Sequence, residues 1–204
     1  MDEVRPDERG AVRGRRLRAR LLLFIGVVAI VLGSSLWILA RGRGPGHATA
    51  KDQLVVGRPV AVDRPAPPFT QPLLSTGRPL SLARYEDRVV VLNFWASNCD
   101  ACRTEGPALE RLWRSYGGRD VRFIGVDYED GRSAALRFTR AHGLTYPSVV
   151  DPNGGVGDAY AIFGLPTTYV IGPGSRIRFV VIGKVDVRAL RTAIDSLLRT
   201  ARSG

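Results

Sequence analysis

Residues 89–116 read VVVLNFWASNCDACRTEGPALERLWRSY, and the stretch divides into a strand, a turn and a helix. Val89 to Trp95 is a near-continuous β-rich run, the pattern of a central strand buried on both faces. Leu109, Leu112, Trp113 and Tyr116 then recur at helical spacing. Between the two elements stand Cys99 and Cys102, the only cysteines of the chain. A loop this short gains little chain-entropy stabilisation from a disulfide, so the pair reads as chemical rather than as a staple. At a helix start, unpaired N–H groups and the helix dipole favour a thiolate on Cys99, and Cys102, about one turn later, is positioned to resolve a mixed disulfide. Cys99 is therefore the expected nucleophile and Cys102 the resolving thiol, together a redox-active disulfide.

Outward from this unit, apolar runs alternate with helical patterns from about residue 66. Leu80-Ser81-Leu82 precedes the central strand, and Val121 to Val126 is a second strand. Ser133 to His142 reads as a helix and Ser148 to Asp151 as a short strand or extended connector. Thr167 to Ile171, the turn Gly172-Pro173-Gly174 and Ile177 to Ile182 predict a β-hairpin, followed by a helix over Val187 to Leu198. The order predicts an α/β fold with a mixed central sheet flanked by helices.

The N-terminal part carries a different signal. Leu21 to Ala40 is a run of 20 residues without a charge, long enough at about 1.5 Å per residue to cross a bilayer core of roughly 30 Å. Seven Arg precede it in residues 1–20, and only Arg41, Arg43 and Lys51 follow closely. The positive-inside bias then predicts a cytoplasmic tail over 1–20, a transmembrane anchor over 21–40, a juxtamembrane linker over 41–65 and the redox domain, 66–204, outside the cytoplasm at the cell membrane. A signal peptide cut at Ala48-Thr49-Ala50 is the competing reading, disfavoured by the long apolar run and by Arg41 and Arg43; either reading exports the domain. The net charge of +11 is divided between this region and a scattered surplus, without the single basic module of a nucleic-acid binder. A zinc site is also disfavoured: there is no second CxxC, and the two histidines are His47 in the linker and His142 near a predicted helix end.

The motif NFWASNCDACRTEGPAL, preceded by APPFTQPLLSTGRPLSLARYEDRVVVL and followed by FGLPTTYVIG, resembles membrane-anchored thioredoxin-like thiol-disulfide oxidoreductases of the TlpA, ResA and CcmG type, relatives of the AhpC/TSA redoxins. The resemblance spans about residues 66–200. It implies a thioredoxin fold, a cis peptide between Leu165 and Pro166 beside the dithiol, and a substrate groove bordered by Leu165, Pro166 and Thr167. Only about 5–6% of X-Pro bonds are cis, so that expectation rests on the resemblance alone. Glu105 matches an acidic residue that tunes the cysteines and relays protons, and in a first turn it also suits the helix dipole. Trp95 matches the aromatic before the active-site loop and is placed with the groove, although a Trp ending a central strand also suits the core.

Asn98 stands where many relatives have tryptophan, and Asp100-Ala101 where many have proline second, so the redox direction stays open. The resemblance implies exported proteins with cysteines as substrates, a membrane redox partner and no cofactor or metal. The reaction is then either reduction, as of haem-site cysteines in cytochrome c maturation, or oxidation of secreted thiols. Two alternatives differ in class. A thiol peroxidase would need Pro and Thr flanking the reactive cysteine, and a copper-binding assembly factor would need wider cysteine spacing and a distal histidine.

Overall fold

The computed structural model describes residues 56–117 and 120–203. The predicted tail, the anchor and most of the linker lie outside the described residues, and among those described no helix is long and apolar enough to cross a membrane.

Eight strands and four α-helices follow one another as β1 (Val60–Pro65), β2 (Thr70–Pro72), β3 (Pro79–Ser81), β4 (Val89–Trp95), α1 (Asp100–Tyr116), β5 (Val121–Tyr128), α2 (Arg132–Ala141), β6 (Ser148–Asp151), α3 (Gly155–Tyr160), β7 (Thr167–Gly172), β8 (Arg176–Ile182) and α4 (Val187–Ser203). Six strands form one sheet in the order β1-β8-β7-β4-β5-β6, and β2 and β3 pair separately. β4, β5 and β6 run parallel; β7 is antiparallel to β4, β8 to β7 and β1 to β8. The sheet is thus mixed, with β4 between β5 and β7.

All seven residues of β4 are buried, because each face of the sheet is covered. Val90, Leu92 and Phe94 point to a core shared with Tyr160 of α3, Tyr169 and Ile171. Val89 and Val91 point the other way, to Leu109 and Leu112 of α1 and Leu190 and Ile194 of α4. Further along that second side, Trp95 meets Cys102, Ala135 and Phe138. Two sided burial explains why this strand lacks the polar alternation of a half-exposed one.

Three elements depart from the sequence reading, one of them β2, which pairs with β3 apart from the main sheet. Val60–Pro65, left in the linker by that reading, pairs with β8, so the sheet starts before residue 66. Its Val60 and Val62 turn inward while Ala61 and Asp63 face out, and the Arg and Pro around them hide the alternation. α3 was not expected at all, since three glycines fall within Gly154–Gly157. It forms because the buried Asp151 carboxylate accepts the Val156 and Gly157 N–H groups at 3.1 and 2.9 Å, a tertiary cap that overrides weak propensity.

Candidate active site

Cys99 is the N-cap of α1, in extended conformation, and its Sγ accepts the Cys102 N–H at 3.1 Å. The two cysteines form a disulfide with Cα atoms 5.2 Å apart. Cys102 is 2% exposed, whereas Cys99 is half-buried. An incoming sulfur therefore reaches Cys99 and not Cys102, and a thiolate left on Cys99 would receive an N–H and the positive end of the helix dipole. The neighbouring Asp100 carboxylate, 92% exposed, pairs with Arg103 at 3.4 Å. An ion pair so open to water is worth little, and its partner lies outside the sulfur pair.

One turn beyond Cys102, Glu105 is 2% exposed. Its Oε1 accepts from Asn93 Nδ2 at 2.9 Å and its Oε2 from the Val185 N–H at 2.8 Å. Asn93 also donates to Thr168 Oγ1 at 3.0 Å, so the carboxyl is tied to β4, β7 and the turn after β8. Burial raises its pKa from 4.5 to about 7, with the Val185 and Asn93 donors and the Lys184 charge acting against that rise. Positions i and i+3 share a helix face, which sets this neutral-range acid on the same side of α1 as Cys102. The geometry suits a group that takes a proton from a thiol and returns it.

The Leu165–Pro166 peptide is cis, as the resemblance implies, and Leu165 packs against the cluster that holds both cysteines and Trp95. Two groove residues are placed differently. Trp95 is 1% exposed and stacks on Phe138, with ring centroids 4.9 Å apart, so it supports the dithiol from beneath and has no surface to offer a substrate. Thr167 is buried too, its hydroxyl donating to the Gly164 carbonyl at 2.7 Å; it closes the turn that carries Leu165. The strand end faces the core at both positions because β4 and β7 are interior strands.

Sequence reasoning missed Asn93, Val185, Gly125, Asp127 and Asp130. Asn93 and Asp127 had a signal: each is a polar residue flanked on both sides by apolar or aromatic ones inside a strand, VVVLNFW and VRFIGVDY. Asp130 Oδ2 accepts the Ser97 N–H at 2.7 Å, which fixes the turn before Cys99. His142 ends α2 and packs on Phe138 with centroids 4.6 Å apart. Gly125 is required by crowding: an added Cβ would overlap Ser148 Oγ and sit 2.6 Å from Trp95 Nε1. Gly125→Ala is expected to destabilise the fold by about 1–3 kcal/mol, because the stacked indole cannot retreat. A lowered denaturant midpoint with unchanged slope would establish this, and an unchanged midpoint would refute it.

The model of the AhpC/TSA family matches residues 62–180, more than half of the chain. The chain belongs to the AhpC/TSA family. Within it, this redoxin is similar to the thiol-disulfide oxidoreductase ResA of Oceanobacillus iheyensis, 32% identical over 118 residues that cover 58% of this chain and 62% of the relative. It is similar also to the thiol:disulfide interchange protein DsbE of Allochromatium vinosum, 31% identical over 70% of this chain and 78% of the relative. The solved structure of a DsbF homologue from Corynebacterium diphtheriae superposes with a TM-score of 0.62 at 27% identity, over 76% of this chain and 97% of that one. The fold is thioredoxin-like, and with the Cys99–Cys102 pair in place this redoxin is an enzyme of the thiol-disulfide oxidoreductase kind.

Proposed function

We propose that the chain is anchored in the cell membrane by residues 21–40 and exchanges disulfides with exported proteins on the outer side, with haem-site cysteines of cytochrome c among its substrates. The observation that carries the exchange chemistry is the disulfide whose outer sulfur, on Cys99, is accessible and whose inner partner is buried beside Glu105. The location rests on the uncharged run 21–40 behind seven Arg.

In the reducing direction, the Cys99 thiolate attacks one sulfur of a substrate disulfide and one substrate thiolate leaves. Cys102 then gives its proton to the Glu105 carboxylate and attacks Cys99 Sγ, and the second substrate thiolate leaves. Two electrons pass to the substrate and the disulfide passes to the chain. The reverse sequence oxidises a substrate dithiol, and a membrane redox partner restores the starting state in either case.

Two measurements test the reading on the full chain. Labelling of the reduced cysteines in intact cells by a membrane-impermeant maleimide is expected, and labelling only after lysis would reject the outward location. The equilibrium reduction potential assigns direction: a value nearer about −270 mV makes the chain a reductase and one toward about −120 mV an oxidant of secreted thiols.

A further inference from the structure

Beneath the dithiol lies a second buried acid that the exchange steps leave unused. Asp127 has no exposed surface, and neither of its carboxyl oxygens receives a donor among the described residues; Trp95 Nε1, a donor, and Ser148 Oγ are likewise without a partner there. Strand pairing puts these groups together. Trp95 is opposite Asp127 and Ser148 opposite Gly125, so with alternating side chains all four positions share one sheet face, the face on which Trp95 packs with Cys102. A pocket of about 120 Å³ has Ser148 in its lining.

An ionised carboxylate without donors is strongly disfavoured in such a place. Protonation supplies a donor, and the carboxylate whose charge is set against it is that of Asp130, three residues on in the chain. That carboxylate is committed on its other side, Oδ2 to the Ser97 N–H and Oδ1 to the Gly131 N–H, both at 2.7 Å. Ser97 belongs to the turn closed by the Cys99 N–H on the Ala96 carbonyl at 3.2 Å. Hydrogen bonds thus link Asp130 to the Ser97 turn that carries Cys99, and Asp127 is set against the Asp130 end of that link.

We infer that Asp127 is a positioning residue for the nucleophile: while protonated it donates to Asp130 and holds the turn that presents Cys99, and when it loses its proton the two carboxylates repel and that turn is released. Burial and then the Asp130 charge push the Asp127 carboxyl up to about 7, which sets the change within the ordinary range of pH. Asp130 is the charged group set against it. Across β4 and β6 its neighbours Trp95, Ser148 and Val150 are uncharged, α2 presents Ala135 and Phe138 to this side, and from α1 come Cys102 and Glu105. The inference deepens the disulfide-exchange reading and rests on it for its kinetic consequence.

The test has two arms on the full-length chain. In the oxidised state, where the cysteines do not titrate, the infrared band of protonated carboxyl groups is followed as pH rises through neutrality. The expected result is a loss from both Glu105 and Asp127, with one component missing in Asp127→Asn; a band identical in Asp127→Asn and the parent overturns the proposal. In the reduced state, the alkylation rate of Cys99 is divided by its thiolate fraction. This ratio is expected to change across neutrality in the parent and in Glu105→Gln, and to stay flat in Asp127→Asn, whose amide still donates to Asp130, and in Asp130→Asn. A flat ratio in Glu105→Gln, or an unaltered change in either aspartate variant, overturns it. The infrared arm stands even if Cys99 exchanges no disulfides, so failure of the two readings can be told apart.

Discussion

Cys99→Ser is expected to abolish catalysed disulfide exchange, whereas Cys102→Ser is expected to leave the first attack intact and to accumulate a mixed disulfide with substrate. The asymmetry follows from burial: the accessible sulfur is on Cys99, and Cys102, 2% exposed, meets only what Cys99 brings to it. Once Cys102 is serine, nothing adjacent expels the bound substrate, so the adduct persists until an external thiol arrives. Non-reducing electrophoresis and intact mass, after incubation with a disulfide-bearing peptide, would display the adduct for Cys102→Ser and none for Cys99→Ser. Adducts on Cys99→Ser through Cys102 would reverse the assignment of roles.

The second large effect concerns Glu105. Its neutral-range carboxyl is expected to accept the Cys102 proton during resolution, so Glu105→Gln should slow that step by about 10²-fold near neutrality, within the usual span for a positioned acid or base. The slowing should shrink as pH rises and Cys102 ionises unaided. A resolution rate in the Gln variant equal to the parent at every pH would exclude the role. The same group bears on stability, with a definite sign. The folded-state value, about 7, lies above the ordinary 4.5, so the folded chain binds the proton more tightly. Its contribution is fully present below pH 4.5 and is lost as pH rises to about 7, a span worth on the order of 3 kcal/mol. Oxidised parent protein should thus lose more stability between those pH values than Glu105→Gln does, and parallel denaturant curves would contradict the assignment.

Glu110 acts in the opposite sense. Burial alone would push its carboxyl up, but the Thr145 hydroxyl and amide and Arg114 together hold it below the usual range. It fastens α1 to the loop before β6 through the Thr145 N–H at 2.7 Å and the Thr145 hydroxyl, while Arg114, one turn on in the same helix, donates to it at 2.7 Å. Comparing variants with their parent, rather than reading the parent's profile alone, separates the two carboxyls.

The active dithiol, the helix behind it and the central strand before it were legible in the sequence because their signals are local. Two cysteines one turn apart, a run of β-branched residues and a helical apolar period each report on contiguous chain. The family resemblance extended that reading to the cis peptide at Pro166 and to Glu105. The edge strand β1 and the short helix α3 escaped it, since one depends on pairing with β8, more than a hundred residues away in sequence, and the other on the Asp151 carboxylate. Trp95 shows the same divide: its sequence allows a groove or a core, and only the stacking of Phe138 from α2 decides for the core. What the sequence by itself determined is the cysteine pair and its place at a strand-to-helix turn. What the tertiary structure alone decided is their environment, because burial, and with it the proton affinity of Glu105 and Asp127, arises from strands and helices brought together from distant parts of the chain.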